Sequence, residues 1–248
     1  MAKDLFSDRS DLYALYRPGY PDELFEYIFH FLTSKKIAWD CATGNGQAAK
    51  AISSIFEKVE ASDISSRQID KAYKKENIHY TNCPAEKTPF PDNHFDLVTV
   101  ATAYHWLKWK DFKKEVERVT KPEAIIAIWA YNLLKSNDPK FDQIIENFYQ
   151  KVIRDYWEPE RKFVDENYSA VEFDYEELPS KTWEMELTWT KDHFMGYLES
   201  WSAVQTYIQK NNSNPLLLIK AAIDDHWGEN FQRKFYFPLF LRLGKVMK

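Results

Sequence analysis

Asp40, Gly44, Gly46 and Asp63 stand at or just past the ends of two short runs that read as strands, where carboxylates and bare backbone can grip a small ligand together. Ile37 to Cys41 is mostly apolar, the chain then breaks at Gly44 and Gly46, and helix-forming residues around Ala48, Ala49 and Ile52 follow. The order is strand, tight turn, helix. Both glycines permit positive φ and let a ligand approach without meeting a Cβ. The helix start aims unpaired N–H groups and the positive end of its dipole into the same space. Glycine is scarce here, six in 248 residues, so two within three positions are placed for backbone geometry.

Gly44-x-Gly46-x-x-Ala49, with Asp63 further on, also fits a dinucleotide fingerprint, which leaves a nicotinamide (NAD)-linked oxidoreductase open. Asp40 points elsewhere. A carboxylate four positions before Gly44 would repel a pyrophosphate and suit a ligand that brings a cation, such as the amino group of S-adenosylmethionine (SAM). The other reading of Asp40 is a cap on the backbone N–H groups of the turn. Asp63 falls at the carboxyl end of a second strand, Lys58–Asp63, where open α/β sheets place ligands and where a carboxylate can accept both hydroxyls of a ribose.

The remaining elements supply the frame. Pro21-Asp22-Glu23 opens a helix whose apolar face is Leu24, Phe25, Ile28, Phe29 and Leu32. A second crossover helix runs from Ser65 to Glu76 with a serine cap. A third strand covers Ile78 to Cys83, and a fourth, Phe95 to Ala101, is apolar and β-branched as a doubly covered strand should be. The loop Ala103-Tyr104-His105-Trp106-Leu107 follows directly. A helix from Lys110 to Thr120 and a strand from Ala124 to Trp129 continue the alternation, which predicts a parallel sheet with helices on both faces. Beyond residue 140 the pattern changes. The periodicity predicts one long helix from Phe141 to Tyr156, a half-buried strand from Trp183 to Trp189, a helix through Phe194 and Ile208, another over residues 216–227, and a last strand from Phe235 to Leu241 whose Pro238 suggests an edge or a bulge. Residues 157–180 are polar and show no clear period. The chain reads as one domain over residues 1–248, with the helical segments of about 140–230 and the N-terminal 1–20 covering the site.

Composition narrows the class of partner. Hydrophobic content of 44% and charged content of 29% are those of a globular protein. A net charge of −5, with no basic tail or stripe, disfavours nucleic acid. No apolar run approaches the roughly 20 residues that span a bilayer, and Met1-Ala2-Lys3-Asp4 lacks the apolar core of a secretion signal. Cys41 and Cys83 read as buried thiols in a reducing compartment, and a cytoplasmic location is the expectation. No His, Cys and carboxylate spacing suggests a metal site. Aromatic content of 17%, with nine tryptophans, is the unusual feature.

Several segments, in order, resemble the class I SAM-dependent methyltransferases, and among them the small-molecule branch typified by trans-aconitate methyltransferase. The matching pieces are Tyr16-Arg17-Pro18 with Tyr20-Pro21, Asp40 through Gln47, Asp63, Ala85-Glu86 with Pro89-Phe90, Phe95-Asp96-Leu97-Val98, His105-Trp106, Arg118 through Pro122, and Trp201-Ser202-Ala203. The resemblance implies an α/β, Rossmann-like, doubly wound sheet of seven strands, mostly parallel with an antiparallel last strand. It implies that Asp40, Thr43, Gly44, Gly46 and Gln47 hold the methionine part of SAM and Asp63 its ribose. Ile64 would pack on the adenine, with Ala85 and Glu86 near its edge, and S-adenosylhomocysteine (SAH) would be the product. Two positions depart from relatives. Pro84 replaces an acid before the Ala-Glu pair, and Pro122-Glu123-Ala124 replaces Pro-Gly-Gly, where a changed turn is expected.

Methyl transfer from a sulfonium is an in-line displacement that needs alignment, exclusion of water and, for some acceptors, removal of a proton. His105, after the fourth strand, is placed to act as base or substrate ligand, or to pack the loop with Trp106. Tyr16 and Arg17 could reach over the site, with Arg17 as a carboxylate partner or part of a structural salt bridge. Tyr104, Trp106 and Trp201 are the remaining candidates for contact with a small-molecule acceptor, a carboxylate or a hydroxyl. Trp201 also fits the apolar face of its own helix. A third possibility is a protein of this fold that binds ligand without catalysis.

Overall fold

The computed structural model describes residues 15–229 and 231–248. Its sheet has the order β3-β2-β1-β4-β5-β8-β6, with β7 also paired to β8. β1 is Ile37–Cys41, β2 Lys58–Asp63, β3 Ile78–Asn82, β4 Phe95–Ala101 and β5 Thr120–Tyr131. These five run parallel. β8, Arg233–Lys245, pairs antiparallel with β5, as expected for the last strand. The count is eight rather than seven, because two short partners share the far side of β8. β6, Glu176–Glu177, pairs with its end and β7, Thr182–Trp189, with its beginning.

Strand alternation divides the core between two faces. Ala38, Leu97, Ile125, Ala127 and Trp129 join the apolar residues of α1 (Asp22–Phe29) and α2 (Gln47–Ile52). Trp39, Val98, Ile126, Ile128 and Ala130 join Phe112, Val116 and Val119 of α4 (Trp109–Val119). The sheet is therefore covered on both sides, which is why Leu97–Ala101 of β4 and Ala124–Ala130 of β5 are apolar apart from Thr99.

Tertiary contacts override several local expectations. The helix expected over 65–76 is only α3, Ser66–Asp70, although Ser65 caps it by accepting from Gln68 N–H. Past it, Tyr73 N–H bonds the Asn45 carbonyl and Tyr80 Oη donates to the Tyr73 carbonyl, so this backbone serves the glycine turn instead of a longer helix. The long helix expected from Phe141 is α5, Pro139–Asn147, followed by a wide π turn over Phe148–Val152 and a 3-10 turn over Arg154–Tyr156. A short helix, α6, spans Arg161–Asp165. The helix expected through Phe194 and Ile208 breaks at Ser200–Trp201 into α7 (Lys191–Glu199) and α8 (Ser202–Asn211). Ser200 Oγ donates to the Tyr197 carbonyl at the break, and Gln205 Nε2 to that of Glu199. α9 is Leu217–Trp227.

Pro238 does not mark an edge, since β8 lies between β5 and β7. It pairs with Glu184 on one side, and on the other its carbonyl accepts from Asn132 N–H, one residue past the end of β5. The missing donor thus falls where that ladder has already ended. Glu123 adopts φ +62°, a conformation glycine takes at less cost, so the kink inside β5, where its register with β4 shifts, keeps a left-handed residue without a glycine. Lys245 Nζ pairs with its carboxylate at 3.0 Å.

Many of the aromatics condense on the α1–α2 face. Phe194 stacks on Phe235 at 4.9 Å and 9°, with Phe141 and Trp227 against them and Trp189 closing on Phe235 and Phe237. Phe235 is fully buried. Phe235→Ala is expected to lower stability by about 3–5 kcal/mol, read by urea unfolding, because neighbouring rings collapse poorly into so large a void. A loss under about 1 kcal/mol would contradict this packing.

Candidate active site

The carboxyl ends of β1, β2 and β4 open onto one cavity of ≈ 290 Å³. Each strand contributes through its last residue or the loop after it. β1 is followed by Ala42 and β4 by Thr102, and both line the cavity with positive φ, +52° and +54°. Non-glycine residues held there cost on the order of 1–3 kcal/mol, a strain that concentrates at functional sites. No glycine signals either position in the sequence.

Gly44 and Gly46 take the expected positive φ, +55° and +83°, for different reasons. A Cβ on Gly44 would stand in open space, and this residue lines the cavity. A Cβ on Gly46 would collide with the Tyr80 hydroxyl, so Gly46 makes room for a neighbouring strand and is not on the cavity wall. Asp63 is on the wall. Its Oδ2 accepts from Gly44 N–H at 2.8 Å and its Oδ1 from Ser65 N–H at 2.9 Å. A carboxylate accepts up to about four hydrogen bonds, so ribose hydroxyls can share it. Ile64 beside it is 37% exposed, an apolar side chain left uncovered on the wall. Thr43, Gln47, Ala85, Glu86 and Trp106 line the same cavity.

Asp40 stands behind the wall, fully buried. Its Oδ2 accepts from Ala49 N–H at 3.0 Å and from the Thr43 hydroxyl, and its Oδ1 accepts from Thr99 Oγ1 at 2.7 Å. It caps the turn and ties β1 to β4 and α2. Burial raises its carboxyl to about 6, the Thr43, Thr99 and Ala49 bonds oppose the rise, and the Asp63 charge adds to it.

His105 is placed in the short 3-10 turn Tyr104–Trp106, 6% exposed and off the cavity wall. Its Nδ1 and the Tyr168 hydroxyl share a hydrogen bond of 2.9 Å. Burial, and then the Arg161 charge, push it down to about 3. Trp106 alone of this turn's residues reaches the cavity. Tyr104 is buried on the α4 face, where its hydroxyl donates to the Glu172 carbonyl. Trp201 is 2% exposed among Phe148, Tyr149, Trp157 and Tyr197. Tyr16 packs against Gly196 and the His193 ring. Arg17 donates to the Tyr131 hydroxyl and the Ser200 carbonyl and lies over the Tyr197 ring. None of these four lines the cavity. Residues 1–14, part of the segment expected to cover the site, lie outside the described residues.

Sequence reasoning missed other wall residues. Tyr20 shares a 3.0 Å hydrogen bond with Thr102 Oγ1 and meets the Trp129 ring edge-on. It belongs to the Tyr16–Tyr20 motif, so a signal was there. Glu158 and Glu160 arrive from the unpatterned stretch after Trp157, where none was. The loop carrying Ala85 and Glu86 is pinned from behind: Glu115 accepts from Thr88 N–H at 2.7 Å, and Arg118 donates to the Phe90 and Thr88 carbonyls while pairing with Glu115 and Asp92.

A parallel sheet opening at its carboxyl ends onto a cavity with an acid at the end of β2, and an antiparallel strand beside β5, is the frame of a class I SAM-dependent methyltransferase. Residues 39–128 match the model of a methyltransferase domain family. A provisionally named methyltransferase of Dictyostelium discoideum is 30% identical over 98% of this chain and 95% of its own. The solved structure of a provisionally named type II methyltransferase from Anaeromyxobacter dehalogenans is 32% identical, with a TM-score of 0.85 over 93% of this chain and 98% of that one. A phosphoethanolamine N-methyltransferase of Haemonchus contortus, solved with SAH, shares the fold at 14% identity and TM-score 0.53, covering 100% of this chain and 60% of that one. The chain belongs to the methyltransferase family. It is a SAM-dependent enzyme, and the nicotinamide alternative falls away. Among the described residues no helix is long and apolar enough to cross a membrane.

Two outcomes test the electrostatics. Because the folded Asp40 titrates above the unfolded value of 3.8, its contribution to stability is complete below that value and is lost as pH rises through about 6. The stability of the native protein relative to Asp40→Asn should therefore fall by up to about 3 kcal/mol between pH 4 and 7 in a urea-unfolding series. A gap independent of pH would count against a raised Asp40. The His105 ring should stay neutral at about pH 5, where an exposed imidazole is largely protonated, in its nitrogen NMR shifts.

Proposed function

We propose that SAM lies in the cavity at the carboxyl ends of β1, β2 and β4, and that its methyl passes to a small-molecule acceptor entering beside Trp106. The carrying observation is Asp63, a carboxylate on the cavity wall oriented by Gly44 and Ser65 N–H groups to receive ribose hydroxyls. Ile64 offers the exposed apolar surface an adenine would cover, and Ala85 and Glu86 flank it on the loop pinned by Arg118. Thr43, Gly44 and Gln47 would hold the methionine part. Asp40 and Gly46 act one layer back, by holding the turn that presents them.

SAM supplies an electrophilic methyl on a sulfonium. The protein's own part is to align, exclude water and accept charge. Tyr20, Thr102 and Trp106 form a wall with few mobile polar groups at the acceptor end. In this reading His105 is a positioning residue, since a sealed imidazole held near 3 neither reaches the acceptor nor takes its proton at neutral pH. Glu158 and Glu160 on the same wall weigh against a carboxylate acceptor and favour a hydroxyl, whose proton a glutamate can receive. Tyr16, Arg17, Tyr104 and Trp201 support the wall from behind rather than touching the acceptor. The likeness of His105-Trp106 and Trp201-Ser202-Ala203 to the branch typified by trans-aconitate methyltransferase supports a small acceptor.

Asp63→Ala should weaken SAM binding by about 2 kcal/mol, roughly 30-fold, because a charged hydrogen bond to the ribose is lost. Calorimetric titration measures it, with a thermal melt to confirm folding. Unchanged affinity in a folded variant would overturn the placement of SAM in this cavity.

A further inference from the structure

Glu160 precedes α6, which packs against the Tyr104–Trp106 turn, so this glutamate enters the cavity at its Trp106 end. Its Oε2 is buried and meets no hydrogen-bond partner among the described residues. A buried carboxylate oxygen without a donor is costly unless a ligand supplies charge or a proton. Glu160 is not isolated in sign either. Among the described residues, the charged side chains on the cavity wall are Asp63, Glu86, Glu158 and Glu160 against Lys108. Asp63 and Glu86 are engaged by backbone N–H groups, from Gly44 and Ser65 and from Lys108 respectively. Glu160 has no such donor.

SAM and SAH differ in charge where the chemistry happens. SAM carries an ammonium, a carboxylate and a sulfonium, net +1. When the methyl leaves, the electron pair of the broken C–S bond stays on sulfur and the product is a neutral thioether, net zero. A carboxylate on the cavity wall senses that change, because charges facing one another within a cavity are screened less than charges in open water.

We infer that Glu160, with Glu158 beside it, makes this cavity prefer cationic SAM over neutral SAH, so that the product is bound more weakly than the cofactor it came from. The inference rests on the placement of SAM given above. Loss of the sulfonium charge removes the partner of the Glu160 carboxylate, and the product dissociates without any conformational signal.

The test is calorimetric titration of the full chain and of Glu160→Gln with three ligands: SAM, SAH, and sinefungin, whose amine carries a positive charge at the place of the methyl-sulfonium. The native protein should bind SAM and sinefungin more tightly than SAH. Glu160→Gln should lose about tenfold for SAM and sinefungin and keep SAH within about twofold, an effect of the size expected for one partly screened charge pair. Glu160→Asp, which keeps the charge, should retain most of the preference. Equal losses for SAM and SAH would make Glu160 a contact to the amino acid part common to both and would overturn the inference, as would unchanged affinities in a folded variant. Should Glu160→Gln fail to fold in a thermal melt, Glu158→Gln carries the same comparison, and an unaltered SAM-to-SAH ratio there sinks it. Failure of the native protein to bind SAM or SAH at all is a different result: it removes the cavity assignment itself.

Discussion

The buried carboxylate of Asp40 is the interaction on which the site depends. It sits at the one place where β1, β4 and α2 meet, and it bonds to a group from each neighbour: Thr99 on β4, Ala49 N–H in α2, and Thr43 in the turn between. Removing a charge from water costs several kcal/mol, and burial accordingly lifts this carboxyl to about 6. The cost is tolerated because three donors converge on it and because the turn they fix carries Gly44 and Thr43 to the cavity. A methyl transfer that works by alignment needs that turn held to within fractions of an ångström, so a costly but well-satisfied charge is a reasonable device for specifying one geometry.

Outside the turn, rigidity comes from aromatic packing. The rings of Phe141, Phe194, Trp227 and Phe235 form one continuous cluster in the second half of the chain, in which Phe194 and Phe235 stack and the others meet at an angle. A second group, Trp39 with Phe90, Phe95 and Phe112, backs the cavity from the α4 face. Stiff rings with few rotamers lose little entropy on burial for the area they cover, which suits walls that must not adjust. The high aromatic content is thus mostly scaffold. Among the described residues, Trp106 and Tyr20 are the rings that line the cavity.

The electrostatics divide between two layers. Carboxylates stand on the cavity wall, whereas His105 and Asp40 lie sealed behind it with their protonation shifted by burial. Sealed groups that hold the turn and carboxylates left on the wall fit the proposed transfer, in which the sulfonium charge is consumed and a wall glutamate receives the acceptor's proton.

The sheet, the glycine turn and Asp63 were legible in the sequence because their signals are local. A doubly covered strand is mostly apolar, as β4 is, a left-handed turn favours glycine, and an acid ending a strand in an α/β alternation falls at the ligand end of the sheet. β2 and β4 accordingly match their expected bounds residue for residue. Helix ends and breaks were not legible. Asn45 takes the backbone of Tyr73 away from the helix after Ser66, and side-chain bonds at Ser200 and Gln205 break a periodic segment that nothing local interrupts. The site divides in the same way. Thr43, Gly44, Gln47, Asp63, Ile64, Ala85, Glu86 and Trp106 follow strand ends and reach the wall. Ring orientation turned His105 and Tyr104 inward, and packing of the second half set Trp201 in the core. Glu158 and Glu160 were brought to the wall by long-range contacts of a stretch with no periodicity. Spacing along a chain determines which residues end a strand together, but the direction in which a side chain points is decided by what fills the space around it, and that is a property of the packed structure alone.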